Sequence, residues 1–291
     1  MSTEMLSLLL AVAFSFMRTD ASLAYSCASQ IVKECTPRDA GTARAEIAAN
    51  RILDMVSSAG ADARKDSFVA RTPRGIRRFN NVYAKFEYSP TSSWVVVVSH
   101  YDTKAAVPCP GANDGASTSG LLIGLANALV DRPAKGVNVM LVWTDGEECL
   151  FKYGDNDGLH GSKRAAEMIA SRKYDVKAVL CADMLGDRDL NITIPANGTE
   201  SLAKKVLDAA RKAGLSSIVS KSDLFIKDDH QPFLDLGFPA VDLIDFSYGP
   251  NNVWWHSKED TMDKVSVESL FKAGVLISEV ISSFEITDSG N

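Results

Sequence analysis

The sequence has 291 residues, of which 46% are hydrophobic and 23% charged, and its formal net charge is -6. A chain of this length and composition predicts a globular protein with a sizeable core. Its acidic balance lacks the basic surface by which proteins bind nucleic acid or an anionic membrane, so we expect neither partner. A mildly acidic enzyme or binding protein fits these properties better.

The chain starts with a short apolar run, MLSLLLAVAFSFM, and the small-residue stretch ASLA follows it and ends at Ala24. The run is too short to span a bilayer and resembles the apolar core and cleavage site of a secretory signal, which predicts export to the periplasm or the medium. The first residues include Glu4 but no Lys or Arg, so a buried helix is the alternative. We therefore expect residues 1–24 to be a signal peptide or an N-terminal apolar helix, and residues 25–291 to form one domain.

The five cysteines form no CxxC pair and have no His-rich partner segment, which argues against a thiolate zinc site. If the chain is exported, Cys27 and Cys35 could form a local disulfide. Cys149 and Cys181 follow apolar runs and are expected to be small core residues.

Apolar runs rich in β-branched residues alternate with segments of helical spacing. The predicted elements are a helix at 41–59, strands at 81–88 and 94–102, a helix at 120–131, a strand at 137–145, a helix at 162–172, a strand at 176–185, a helix at 200–214, a short strand at 240–246 and a closing helix at 267–284. This alternation is typical of an α/β fold with a central, mixed but mostly parallel sheet flanked by helices. Because no repeat or long linker divides the chain, we expect a single domain.

Polar side chains that can perform chemistry gather at the carboxyl ends of the predicted strands and in nearby loops, where open parallel sheets place their ligand sites. They are His100, Asp102, Asp114, Glu147, Glu148, Asp183, Asp229, His230 and His256. The chain has four histidines, and three of them are in this set. Histidine and carboxylate ligands without thiolates are typical of a catalytic zinc site with an open coordination position, although cobalt or manganese would suit the same ligands.

Two adjacent carboxylates, Glu147 and Glu148, follow a strand that is predicted to be buried. Their repulsion and desolvation are costly there unless a cation or a proton compensates for them. Because neighbouring side chains in extended backbone point to opposite sides, one glutamate can bind a metal while the other acts on the substrate as general base and acid.

These motifs occur together in a known order. They are HYD from His100, GANDGAS around Asp114, DGEE with the glutamate pair, Asp183, DDHQPF, and Trp255 followed by His256. As a set they resemble the zinc aminopeptidases and their relatives, the glutaminyl-peptide cyclotransferases, from about Cys35 to the C-terminus. The resemblance implies a zinc exopeptidase-like (phosphorylase/hydrolase-like) fold, with residues 25–291 as the catalytic domain.

Three departures from the aminopeptidase pattern favour the cyclotransferases. The segment CLFKYGDND separates the glutamate pair from GLHGS, DDH precedes Pro-Phe, and Trp255 directly precedes the last histidine. The resemblance thus implies an acyltransferase that converts the N-terminal glutamine of peptides to pyroglutamate and releases ammonia. A zinc aminopeptidase that hydrolyses N-terminal residues is the first alternative, and an inactive metal- or peptide-binding homologue is the second.

Carried over to this chain, the resemblance implies one zinc ion, held by Asp114, Glu148 and His256. It also implies that Glu147 moves a proton from the α-amine of the substrate to the departing amide nitrogen. A hydrogen-bond network beside this glutamate would be formed by Asp183 and Asp229.

The resemblance further implies a glutamine pocket walled by Trp255, Tyr153 and Phe151, although the family commonly has Trp where Tyr153 stands. His100 matches a ligand of the second metal in the aminopeptidases, which use it together with an acid at the position of Asp183. In a cyclotransferase with one zinc, we expect His100 and Asp183 to be hydrogen-bonded instead of binding a metal. The implied partners are peptides and proteins with a free N-terminal glutamine. The sequence does not indicate the oligomeric state.

Overall fold

The structure is a computed structural model that describes residues 16–89, 92–105, 107–130, 132 and 136–284. An eight-stranded mixed sheet lies at the centre of the protein. Its strands are β1 (Asp62–Thr72), β2 (Gly75–Phe86), β3 (Trp94–His100), β4 (Asn138–Thr144), β5 (Val176–Asp183), β6 (Ile192–Ile194), β7 (Val219–Lys221) and β8 (Ala240–Ile244). The strand order is β1-β2-β4-β3-β5-β8-β6-β7. The four central strands β4, β3, β5 and β8 are parallel, and antiparallel pairs join β1, β2 and β6 to them.

Helices cover both faces of this sheet. They are α1 (Arg18–Cys35), α2 (Ala43–Ser58), α3 (Thr118–Val130), α4 (His160–Ser171), α5 (Glu200–Lys212), α6 (Gln231–Asp235) and α7 (Val267–Ser282). Helices α1, α2, α3, α5 and α7 pack into the larger hydrophobic core on one face, and α4 and α6 pack into the smaller core on the other. Because both faces are covered, β3 and β4 are buried at every residue, which explains their nearly continuous apolar sequences.

The predicted fold class is confirmed: the described residues form one mixed α/β sheet with a parallel centre and flanking helices. Strand β1 was not predicted, because its sequence DARKDSFVART is largely polar and only pairing with β2 makes it a strand. Strand β4 contacts β2 only over 82–86, so the outer part of the β1–β2 hairpin extends beyond the central sheet.

Helix α1 crosses α3 at unusually close range. A Cβ atom on Gly120 would lie 2.3 Å from the Ala24 carbonyl oxygen, and one on Gly124 would lie 2.6 Å from the Asp20 carbonyl oxygen. The end of the expected signal cleavage site, Ala24, is therefore a buried residue in the middle of a packed helix. Residues 1–15 of the expected signal lie outside the described residues.

The disulfide considered between Cys27 and Cys35 is wrong, because both are free buried thiols on helix α1. Eight residues of helix separate their Cα atoms by about 12 Å, at a rise of roughly 1.5 Å per residue, whereas a disulfide requires less than about 7 Å. Cys149 and Cys181 are buried, as expected. Among the described helices, none combines the length and apolar character that a membrane crossing needs.

Candidate functional site

The candidate site lies at the carboxyl edge of the parallel strands. His100 is the last residue of β3, Asp183 is the last residue of β5, and the glutamate pair follows β4 by three residues. Parallel strands bring their carboxyl ends to one edge of the sheet, so residues far apart in sequence meet there.

A strained turn delivers Asp114 to this edge. The segment Ala112–Ser117 forms a π-helical turn before α3, and Gly115 within it has a φ of 94°. A Cβ atom on Gly115 would lie 3.0 Å from the Asp102 carbonyl oxygen and 3.1 Å from Cε1 of His100, so both the backbone conformation and the close approach require glycine. The carboxylate of Asp260 accepts hydrogen bonds from the N–H groups of residues 113 and 114, at 2.7 and 3.2 Å, and thereby holds the turn.

Asp102 holds the loop that carries the two glutamates. Its fully buried carboxylate accepts hydrogen bonds from the backbone N–H groups of Gly146, Glu147 and Glu148, at 2.9, 3.1 and 3.1 Å. One carboxylate therefore satisfies three consecutive donors and fixes the backbone from which the two glutamate side chains diverge.

Asp114, Glu148 and His256 form a first group of potential metal ligands. Nε2 of His256 lies 2.7 Å from Oε1 of Glu148 and 3.3 Å from Oδ2 of Asp114. Oδ2 of Asp114 and Oε2 of Glu148 are buried and accept no hydrogen bond among the described residues, although a nitrogen of His256 or Lys104 lies 3.3 Å from each. Two buried carboxylates and one imidazole fit a divalent cation, since a cation would satisfy the lone pairs that remain.

His100, Asp114 and Asp183 form a second group, which shares Asp114 with the first. Nε2 of His100 lies 3.1 Å from Oδ1 of Asp114 and 3.1 Å from Oδ1 of Asp183. The two oxygens of Asp114 thus face two different histidines. Two states are compatible with this arrangement. Either His100 is hydrogen-bonded beside a single metal ion, or the second group binds a second metal ion.

In both groups, carboxylates outnumber histidines, and their negative charge raises the pKa values of the two histidines. Burial opposes protonation of His256, but the neighbouring carboxylates of Asp114 and Glu148 outweigh burial and raise its pKa to about 9. Burial likewise opposes protonation of His100, but the surrounding carboxylates of Asp102, Asp114 and Asp183 raise its pKa well above the usual value. The carboxylates that raise both pKa values would also favour a bound cation.

Glu147 belongs to neither group of potential metal ligands. Its Oε1 accepts a hydrogen bond from the Tyr153 hydroxyl at 2.7 Å, and the residue lines the main cavity of the site. Burial, followed by the charges of Asp228 and Glu148, raises the pKa of Glu147 well above its usual value. The adjacent glutamates thus have different surroundings, as a metal ligand and a proton acceptor would require.

The cavity has a volume of about 330 Å³ and an aromatic wall. The ring of Trp255 stacks on His256 with centroids 3.9 Å apart, and Phe246 meets Trp255 edge-on at 4.9 Å. Tyr153 also lines the cavity, in contact with Glu147. Phe151 does not line the cavity: its side chain is 78% exposed, so its expected place in the pocket is wrong.

The structure separates the two aspartates of the DDH motif. Asp228 lines the cavity, whereas Asp229, which was expected in the catalytic network, is fully buried behind it and accepts a hydrogen bond from the Thr144 hydroxyl. Burial and neighbouring carboxylates raise the pKa of each to about 7. Asp183, the other acid of the expected network, lines the cavity and contacts His100.

Several residues of the site were not predicted from the sequence: the anchor Asp260 and the wall residues Phe246, Leu224, Phe225 and Ile226. For two others, the anchoring role of Asp102 and the place of Asp228 in the cavity were not predicted. The motif HYD already contained Asp102, and DDH contained Asp228, so the residue types were visible while their contacts were not. No sequence signal marks the segment 224–226, because its apolar side chains lie in a loop.

Comparison with known proteins identifies similar sequences and folds. The model of peptidase family M28 matches residues 81–281. The glutaminyl-peptide cyclotransferase of Dictyostelium discoideum is 28% identical over 261 residues, which cover 72% of this chain and 72% of that protein. The crystal structure of a glutaminyl cyclase from an Acidobacteriales bacterium is 33% identical, with a TM-score of 0.85, and the match covers 93% of this chain and 95% of that one. A leucine aminopeptidase precursor from Bacteroides thetaiotaomicron shares the fold at 23% identity and a TM-score of 0.80, over 92% of this chain and 97% of that one.

Proposed function

The chain belongs to peptidase family M28 and, within it, to the glutaminyl cyclases, and on this premise we propose that it converts the N-terminal glutamine of peptides and proteins to pyroglutamate with release of ammonia. The observation that carries the proposal is the divergence of the two adjacent glutamates. Both line the same cavity, but Glu148 joins Asp114 and His256 in a potential metal-binding group, while Glu147 accepts a hydrogen bond from Tyr153.

The proposed cofactor is one zinc ion per chain, with Asp114, Glu148 and His256 as its ligands. In each of the two carboxylates, one buried oxygen accepts no hydrogen bond within the described residues, which supports this assignment. Lys104 lies 3.3 Å from Oε2 of Glu148 and offsets part of the charge of that carboxylate. When bound, zinc supplies a Lewis acid that polarises the γ-carbonyl of the substrate.

Glu147 is the proposed proton carrier of the reaction. It takes a proton from the substrate's α-amine as the amine nitrogen attacks the carbonyl carbon (Cδ) of the side-chain amide. It then returns that proton to the side-chain nitrogen, whose bond to this carbon breaks, so ammonia leaves and the lactam ring remains. The raised pKa of Glu147 suits both steps, because a carboxyl group with a pKa nearer neutrality accepts and returns a proton more readily.

Asp183 and Asp228 are proposed to support Glu147 from the floor of the cavity, and Asp229 to support it from behind. Trp255 and Tyr153 supply aromatic walls, which suit a flat amide side chain. Attack within one molecule also gains from proximity, since the amine and the γ-carbonyl are held in one chain.

An aminopeptidase is the second candidate, and one observation favours it. The group of His100, Asp114 and Asp183 shares a carboxylate with the first group, as two adjacent metal ions would require. An aminopeptidase would use water to attack the peptide carbonyl and would release the first residue.

Product identification by mass spectrometry separates the two reactions. With a Gln-initiated peptide we expect loss of ammonia and retention of every residue, and a Leu-initiated peptide of the same length should stay unchanged. Glu147→Gln is the matched inactive control. Release of free leucine, or of free glutamine with a shortened peptide, would assign the protein to the aminopeptidases.

Export to the periplasm or the medium is likewise a proposal, supported by the apolar run in residues 1–24. Fractionation of the native host followed by N-terminal sequencing tests it. The full-length chain confined to the cytoplasm would contradict it.

A further inference from the structure

The hydroxyl of Tyr153 makes a direct contact with the proposed proton carrier. It donates a 2.7 Å hydrogen bond to Oε1 of Glu147. Within the described residues, Oε2 of the same carboxylate makes no hydrogen bond, and it is not among the buried unpaired atoms, so it faces the cavity. One oxygen of Glu147 is thus held by protein and the other is open to a substrate.

The loop that carries Tyr153 is itself held firmly. The carboxylate of Asp157 accepts hydrogen bonds from three consecutive backbone N–H groups, those of Leu150, Phe151 and Lys152. The ammonium group of Lys163 donates to the carbonyl oxygens of residues 154 and 158, at 2.8 and 3.2 Å. A surface loop fixed at so many backbone groups can position a side chain reproducibly.

The space for the Tyr153 ring depends on a glycine. Gly158 has a φ of 80°, and a Cβ atom on it would lie 2.5 Å from Cδ1 of Tyr153. Any side chain at this position would displace the ring and its hydroxyl. The absence of a side chain at Gly158 therefore leaves room for the Tyr153 ring, and the hydroxyl of Tyr153 makes the polar contact between this loop and Glu147.

We propose that Tyr153 is a positioning residue for Glu147: its hydroxyl holds Oε1, so that Oε2 alone receives the α-amine proton and returns it to the departing nitrogen. This inference rests on the proposed function. The phenol keeps its own proton throughout, and the proton that Glu147 carries is the one that leaves with ammonia. Burial and the charge of Glu147 raise the pKa of Tyr153 well above its usual value, which keeps the phenol a donor.

A free glutamate side chain has several rotamers, and only some of them direct Oε2 at the substrate. Loss of the hydroxyl should therefore lower the rate of the chemical step without altering the shape of the pocket, because phenylalanine retains the ring. Misplacement of a reacting group by about 1 Å can cost roughly 100-fold in rate. We expect Tyr153→Phe to lower kcat by about 10- to 100-fold and to change KM for a Gln-initiated peptide by less than about twofold.

The test measures kcat, KM and zinc content in a double-mutant cycle of Tyr153→Phe and Glu147→Gln. If the hydroxyl acts through Glu147, Tyr153→Phe should have no further effect on the residual rate of Glu147→Gln, and zinc content should be unchanged. Tyr174→Phe is the matched control, because it removes a phenol that bonds to Lys85 far from the candidate site.

Two results would overturn the inference. An unimpaired Tyr153→Phe enzyme would show that the hydroxyl positions nothing, and an equal loss in both backgrounds would show a general structural effect. Either result leaves the proposed function intact if the unmutated protein still releases ammonia from a Gln-initiated peptide. An unmutated, zinc-loaded protein that releases none would remove the proposed function and this inference with it.

Discussion

The carboxylate of Asp102 accepts a hydrogen bond from the backbone N–H of Glu148 at 3.1 Å, although 46 residues separate them. Its other oxygen accepts from the two preceding N–H groups. The backbone that aims the glutamate pair is therefore fixed from the end of strand β3, and the site should be sensitive to a residue that touches neither metal nor substrate.

Asp102→Asn should destabilise the protein and lower activity. The asparagine side chain retains one acceptor oxygen, but its NH2 group replaces the other oxygen and cannot accept a hydrogen bond. At least one of the three buried backbone N–H groups therefore loses its partner. We expect a loss of about 3 kcal/mol in the free energy of unfolding, since hydrogen bonds to charged groups contribute roughly 1.5–3 kcal/mol each. Denaturant unfolding measures the loss. Asp208→Asn, at an acid whose side chain is 65% exposed, is the control and should unfold like the unmutated protein.

The two adjacent glutamates should give opposite phenotypes. Glu147→Gln should bind zinc almost normally and turn over about 100- to 10,000-fold more slowly, because it removes the proton carrier and leaves the ligands intact. Glu148→Gln should lose zinc affinity and activity together. Metal analysis and steady-state kinetics distinguish them, and equal metal loss in both variants would contradict the assignment.

Metal content decides the role of His100. We expect one tightly held zinc per chain, with His100 and Asp183 hydrogen-bonded to each other at the 3.1 Å separation seen between Nε2 and Oδ1. Elemental analysis after dialysis against a weak chelator tests this. Two zinc ions that resist dialysis would favour the aminopeptidase.

Without metal, the protein should lose stability as the pH rises. Burial and neighbouring carboxylates raise the pKa of Asp228 and Asp229 to about 7, well above the roughly 3.9 of an unfolded chain. The folded state then binds more protons than the unfolded state, so the stability from these groups is complete below pH about 4 and is lost as the pH rises through about 7. His256, with a pKa raised to about 9, adds a loss between about pH 6.5 and 9.

The measurement is the melting temperature of metal-stripped protein from about pH 5 to pH 9. Zinc should restore stability most at the alkaline end, because binding displaces protons from its ligands and is favoured as their concentration falls. If the melting temperature of the metal-stripped protein rose from pH 5 to pH 9, that result would contradict the raised pKa values of these three groups.

The sequence was sufficient to predict the centre of the fold. Strands β3 and β4 are buried at every residue, and their β-branched runs indicate this directly. The polar residues at the strand ends could be placed together because parallel strands share an edge. The hairpin strand β1 could not be predicted, since its polar residues become a strand only through pairing with β2.

The roles of Asp102 and Asp260, which hold backbone segments of the site, could not be predicted either, because they too depend on contacts between distant parts of the chain. Asp260 holds the Asp114 turn by accepting hydrogen bonds from the backbone N–H groups of residues 113 and 114, which lie far from it in the sequence. Backbone donors are the same in every residue type except proline, so the sequence does not reveal such contacts. Phe151 and Tyr153 looked equivalent as aromatic loop residues. Only the fixed conformation of the loop decides that one ring enters the cavity and the other faces solvent.

The tight crossing of α1 over α3 restricts how the chain could mature. A protease that cut after Ala24 would remove the first two turns of α1, and with them the residues Asp20 and Ala24 that pack against Gly124. The ring of Phe16 fills a notch that exists because residue 274 is glycine, so the packed part of the chain already includes this phenylalanine. A processing site that preserves these contacts must precede Phe16, and an enzyme trimmed at Ala24 should melt earlier and expose an apolar groove.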